Sequence, residues 1–200
     1  PALVQELESY FGTPFPYPKL DMIASPAFPG AMENAGAIVF ADSLLLMDEA
    51  PTARQQADFG NVAAHELAHQ WFGDLVTPQW WDDIWLNESF AEWMGVKISN
   101  AWRPQLGIDS EQLLATLGAM DTDALSAGRA IHQPVERNDQ IDGSFDDITY
   151  QKGAGVLGMI ESYLGPERFR AGVRLHLSRH VHGTATADDF FGAMAEAAKE

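Results

Sequence analysis

The sequence predicts an α+β fold, a small strand-bearing part followed by a helical one. Three observations carry this. The segments that read as strands all lie ahead of Thr52. From Thr52 onward the apolar spacing is helical almost throughout. Pro104 and the pair Gly165-Pro166 fall where helices would be divided. Strands first and helices afterwards mark the α+β class, whereas a parallel α/β sheet needs the two to alternate.

Residues 2 to 11, ALVQELESYF, have helical spacing that stops at Gly12. The next stretch, TPFPYPKLDMIASPAFPG, is too rich in proline for a helix, and KLDMIAS within it reads as a short strand. GAIVFAD, 36 to 42, reads as a second strand with β-branched residues in its middle. Thr52 with Gln55 three positions later forms a capping box, which predicts a helix running from there to Gly73. A second long helix is expected over about 86 to 102, and further ones near 109–120, 150–164, 166–180 and 187–199. No repeat, low-complexity tract or interdomain linker interrupts the chain, so residues 1–200 are expected to form a single domain.

Lys plus Arg is 12 against 29 for Asp plus Glu, a net charge of −17. Such a chain repels phosphate backbones, so nucleic acid is not expected as a partner. No run reaches the roughly 18 apolar residues of a membrane span. The first residues lack the basic-then-apolar pattern of a signal peptide. The absence of cysteine excludes disulfides and thiolate metal ligands. Composition fixes neither compartment nor oligomeric state.

The chemistry concentrates in HELAH, His65 to His69. Residues i and i+4 share a helix face, so two imidazoles can reach one ion. Glu66 sits about 100° round the axis, near enough to act on a ligand of that ion without binding it. A His pair alone is often ordinary surface or core; with an intervening Glu on a capped helix it is a specific signal for Zn2+. A catalytic zinc keeps one open position and needs a third protein ligand. The next helix, WLNESFAEW, offers Glu88 and Glu92 at i and i+4.

Eighteen residues, 70 to 87, separate His69 from Glu88. With that spacing HELAHQWFGDLVTPQWWDDIWLNESFAEW resembles the gluzincin zinc aminopeptidases, the aminopeptidase N and leukotriene hydrolase type. GAMEN, residues 30 to 34, resembles their exopeptidase motif, and FDDITYQKGAGVLGMIESYLG their catalytic tyrosine segment. The three stand in the family's order across about residues 10 to 165. The resemblance implies a thermolysin-like catalytic domain, with a small mixed sheet lobe ahead of a helical lobe. It implies one Zn2+ held by His65, His69 and Glu88, with Glu66 as general base and Tyr150 as an oxyanion donor. It implies that Glu33 binds the α-ammonium of peptides with a free N-terminus, with Gly30, Ala31, Met32 and Asn34 beside it. Family members are much longer, so an N-terminal β domain and a C-terminal helical domain are expected outside this chain.

Other readings stand beside these. Glu33 can be a turn acid paired locally, and Tyr150 a core residue ahead of the apolar face Val156, Leu157 and Ile160. Glu92 reads as a solvated helix acid or, less simply, as the group that orients a ligand imidazole. Trp71, Trp80, Trp81, Trp85 and Trp93 read as packing around the site. His176, His180 and His182 read as helix surface, and His132 has no assigned role. A thermolysin-like endopeptidase would use the same zinc trio, although GAMEN argues against it. A zinc-binding fragment without turnover is the remaining alternative.

Overall fold

A computed structural model describes residues 1–199. Helix α1 (Ala2–Phe11) buries Leu3, Leu7, Tyr10 and Phe11 along one face. Gly12 ends it with φ +72°, and the Arg174 guanidinium donates to the carbonyls of Ser9 and Tyr10 in its last turn. Three strands follow: β1 (Asp21–Ser25), β2 (Ala31–Met32) and β3 (Ala37–Ala41). They form a mixed sheet in the order β1-β3-β2. β3 runs parallel to β1, with Asp21 opposite Ala37, and antiparallel to β2, with Met32 opposite Val39. Ile38 and Phe40 of β3 are fully buried, the alternation of a strand with one face on the core.

A single turn, α2 (Asp42–Leu45), leads to α3 (Ala53–His69), whose capping box at Thr52 is complete in both directions. After β4 (Val76–Pro78) comes α4 (Ile84–Trp102), buried on nearly every side. Two glycines let α3 and α4 approach closely. A Cβ on Gly60 would lie 2.8 Å from the Trp102 ring, and one on Gly95 would lie 3.2 Å from the His65 backbone. The second contact falls where the metal-ligand candidates meet. α5 (Ile108–Asp123), an irregular stretch, α6 (Gly153–Leu164) and α7 (Pro166–His180) complete the helical part with α8 (Ala187–Ala197). A short strand β5 (Gly183–Ala185) pairs in parallel with β4.

The core is aromatic. Phe72 stacks on Phe90 at 4.0 Å between centroids, and Phe11 on Trp71 at 5.0 Å. Truncating a buried ring such as Phe90 to alanine costs about 3–5 kcal/mol. The α+β class stands as expected: a small mixed sheet precedes a mostly helical body. Several details differ. Helix α3 ends at His69, not Gly73. Gly73, at φ +140°, sits instead against the His69 ring and the Asn87 amide, where a Cβ would clash. The helix expected over 150–164 opens with a π-helical turn at Ile148–Lys152. β4 and β5, three residues each, had no periodicity to reveal them.

His176 is not on the surface. It is 3% exposed, packed on Phe72 and Phe190. Burial, with His180 beside it, pulls its pKa down to about 4. Its helix face turns toward the aromatic core, so an imidazole there stays neutral. Among the tryptophans, Trp71, Trp85 and Trp93 are buried, whereas Trp80 and Trp81 are exposed. No helix among the described residues is long and apolar enough to cross a membrane.

Candidate metal centre and substrate cleft

His65 and His69 lie in the last two turns of α3, and Glu88 lies in the second turn of α4. The His65 and His69 Nε2 atoms are 3.1 Å apart. Glu88 Oε2 lies 3.4 Å from each of them. A zinc with bonds of 2.0–2.2 Å at tetrahedral angles has ligand atoms about 3.3–3.6 Å apart. The three donors are therefore already spaced as one face of such a tetrahedron. Two imidazole nitrogens turned toward each other also need a cation or a proton between them.

Each ligand candidate is held from behind. His65 Nδ1 faces Glu92 Oε2 at 3.3 Å, and His69 Nδ1 faces the Phe72 carbonyl at 3.1 Å. These partners favour Nδ1–H on both rings and leave Nε2 free to bind metal. Asn87 Nδ2 reaches Glu88 Oε1 at 3.4 Å. Glu92 is thus no solvated acid: its side chain is 12% exposed and turned onto His65. Gln151 donates to its other oxygen at 3.0 Å. Burial opposes charge on His65, but the Glu88 and Glu92 carboxylates outweigh it and hold the pKa well above 6.5. His69 is likewise disfavoured by burial and lifted by Glu88, to about 9. Glu88 is pushed up by burial and pulled further down by the two imidazoles, ending below the usual carboxylate range.

Glu66 is 6% exposed, and its Oε2 is buried without a hydrogen-bond partner. Burial raises its pKa to about 7, against the pull of His65 and His69. Tyr150 leaves the π-helical turn with its ring 6.1 Å from that of His65, the planes 22° apart. Burial and the nearby Glu88 raise its pKa, so the hydroxyl remains a donor.

Glu33 follows β2. Its carbonyl accepts the Gln70 side-chain amide at 2.6 Å, and the Gln70 Oε1 accepts the Gly36 N–H at 2.8 Å. One fully buried side chain next to His69 therefore pins the GAMEN segment to the end of α3. Gly36 has φ +70° and the Lys19 carbonyl 3.0 Å from where a Cβ would stand, so glycine is required there. A Cβ at Gly30 would meet nothing within 4 Å, which leaves open space beside the segment.

Glu33, His65, Glu66, Glu88 and Tyr150 open onto one cleft of 640 Å³, with Gly30, Ala31 and Met32 on its wall. His69 completes the ligand triangle from beneath, 1% exposed. Asn34 lies outside that lining, exposed, its carbonyl closing a turn onto Ala37. Glu92 takes the second of the two places its spacing allowed, behind a ligand imidazole, whereas nothing in the sequence marks Gln70 or Asp74. Gln70 and Asp74 lie close after the histidine motif, but only the tertiary structure shows what they face. Asp74 lines the cleft with a buried, unpaired oxygen, and burial lifts its pKa to about 7. Among the described residues no Lys or Arg lines this cleft, whereas Glu33, Glu66, Asp74, Glu88 and Glu92 do. Such a surface is built to receive cations.

Asp82, Asp83 and His132 form a second cluster of potential donors. Asp83 Oδ2 already accepts the Ala187 N–H at the start of α8, and His132 is half-exposed. That group reads as a tie between α8 and the stretch ahead of α4.

Residues 2–200 match the family described as the peptidase family M1 domain. The chain is 44% identical over 198 residues to "Probable aminopeptidase 2" of Sulfurisphaera tokodaii, covering 96% of this chain and 25% of the relative. It is 42% identical over 195 residues to "Leucyl aminopeptidase" of Saccharolobus solfataricus, with 96% and 25% covered. A rice relative, "Aminopeptidase M1-D" of Oryza sativa subsp. japonica, is 39% identical over 195 residues, with 96% and 22% covered. The chain thus spans about a quarter of the length of these curated relatives. By the extent of that match, this chain belongs to the peptidase M1 family.

Proposed function

We propose that this chain is the catalytic domain of a zinc aminopeptidase that releases the first residue of peptides with a free N-terminus. The observation that carries the reading is the meeting of Glu33 with the His65, His69 and Glu88 triangle in one cleft lined by acids. Zinc held by those three residues would polarise the scissile carbonyl and lower the pKa of water in its open position to about 7. Glu66, poised near neutrality by burial, takes the proton of the attacking water and passes it to the leaving amine. The Tyr150 hydroxyl donates to the carbonyl oxygen as negative charge develops there. Glu33 accepts the substrate ammonium, and this sets the register, because only the first peptide bond then reaches the metal. β2 is the edge of its sheet, so its free side can add the substrate backbone as a further strand. The aminopeptidase names of the relatives support the same substrate class.

The test compares an aminoacyl-anilide with its N-acetylated form in the whole protein, before and after chelation and zinc restoration. The reading predicts zinc-dependent turnover of the free amine only. Equal turnover of the blocked substrate would indicate an endopeptidase. Turnover indifferent to chelation would exclude the metal role.

A further inference from the structure

The turn that carries Tyr150 is the one π-helical turn among the described residues. Such turns are rare and are kept where surrounding groups hold them. Here the hold is specific. Asp146 Oδ1 accepts the N–H groups of Ile148 and Thr149 at 3.0 and 3.1 Å. The Arg129 guanidinium grips Asp146 through Nε at 2.9 Å and Nη2 at 2.5 Å. Nη2 also donates to Thr149 Oγ1 at 2.7 Å, and that hydroxyl donates to the Ser144 carbonyl at 2.6 Å. From the opposite side, Ser89 Oγ donates to the Thr149 carbonyl at 2.6 Å. Ser89 is fully buried and directly follows the ligand candidate Glu88. A Cβ on Gly153, the residue directly after the turn, would fall 1.7 Å from Ser89 Oγ, so the start of α6 presses against α4 as closely as backbone allows. The residue before Tyr150 is therefore clamped through its N–H, its carbonyl and its side chain.

Arg129 also donates to the carbonyls of Ala130, Ile131 and Ser144, so it ties its own loop as well as the turn. Contacts from Asp146, Arg129 and Ser89 all meet on Thr149, the backbone position that aims the tyrosine. We propose that Arg129, acting with Asp146 and Ser89, is a positioning residue that fixes the Tyr150 hydroxyl over the metal triangle. This rests on the reading of Tyr150 as the oxyanion donor.

The experiment uses the whole protein and combines Arg129→Met and Ser89→Ala with Tyr150→Phe, singly and in pairs. Arg129→Met should lower kcat by about 10- to 100-fold, because small misplacements of a reacting group carry costs of that order. KM for a free-amine substrate and zinc content should hold. In the Tyr150→Phe background the same change should cost less than about twofold, since coupled groups are not additive. Ser89→Ala should behave alike and serves if Arg129→Met fails to fold. An undiminished loss in the Tyr150→Phe background, a loss confined to KM, or loss of zinc would overturn the proposal. If Tyr150→Phe lowers kcat and neither other variant does, only the positioning role falls. If Tyr150→Phe itself leaves kcat unchanged, the donor reading falls and takes the positioning role with it.

Discussion

The two walls of the cleft are built differently. On the metal side, His65, His69 and Glu88 project from long helices packed at glycine contacts, with side chains 12%, 1% and 7% exposed. Each has a fixed partner behind it. On the other side, Glu33 sits in an irregular segment beside a two-residue strand. That segment is tied to the helices by Gln70, through main-chain atoms and not through the Glu33 carboxylate. The difference teaches that the donor triangle and Glu33 are held by separate means, so the metal binding and amine recognition proposed for them are expected to be separable. Helix packing holds the triangle, while a short segment carries Glu33.

The strongest way to break this comparison is at the junction of the two walls. Glu66→Gln keeps size and removes the base, and turnover should fall by about 10²- to 10⁴-fold. Zinc content, read by elemental analysis, should stay at one per chain, and loss of zinc would mean that Glu66 serves the metal wall. A smaller effect should come from behind the ligands. Glu92→Gln should weaken zinc affinity by about 10- to 100-fold, the usual cost of losing a group that orients a ligand imidazole. Competition with a chelator measures this, and unchanged affinity would return Glu92 to a packing role.

The mildest test is pH. In the metal-free protein His69 titrates near 9, and His65 also lies above 6.5. A raised imidazole contributes stability that is fully present below about pH 6.5 and lost as pH rises through the folded value. Glu66 and Asp74, both lifted to about 7, act in the same direction, because their ionised forms are the costly ones. The metal-free melting temperature should therefore fall between pH 6 and 9. Depressed Glu88 adds stability lost only toward acid. Zinc requires neutral imidazoles, so its stabilisation grows over the same range. The gap between zinc-loaded and metal-free melting should widen with pH, and a constant gap would contradict the electrostatic account of the triangle.

The histidine face of α3 was largely legible in the sequence because its signals are local. The Thr52 capping box and the i, i+4 histidines are properties of one helix. The choice between Glu88 and Glu92 was not local. Both lie on α4, and only its packing against α3 shows that Glu88 meets both Nε2 atoms while Glu92 turns to His65 Nδ1. Glu33 was expected at the cleft, which it lines, only through its resemblance to a motif, since nothing in its own spacing says what it faces. The π-helical turn and the burial of His176 depend on contacts with distant residues, which no periodicity records. Gly73 misled because a glycine near a helix end usually caps it. Here it makes room for His69 and Asn87.

The separability of the walls, and the role of Glu33 within it, can be tested by one ratio. Inhibition constants for a zinc-binding hydroxamate with a free α-amine and for its N-acetyl counterpart are compared in the whole protein and in Glu33→Ala. A charge-assisted hydrogen bond to an ammonium is worth about 1.5–3 kcal/mol. The free-amine inhibitor should therefore lose about 10- to 150-fold in Glu33→Ala while the acetylated one is unchanged. Equal losses for both inhibitors would contradict the account and make Glu33 a support of the metal wall.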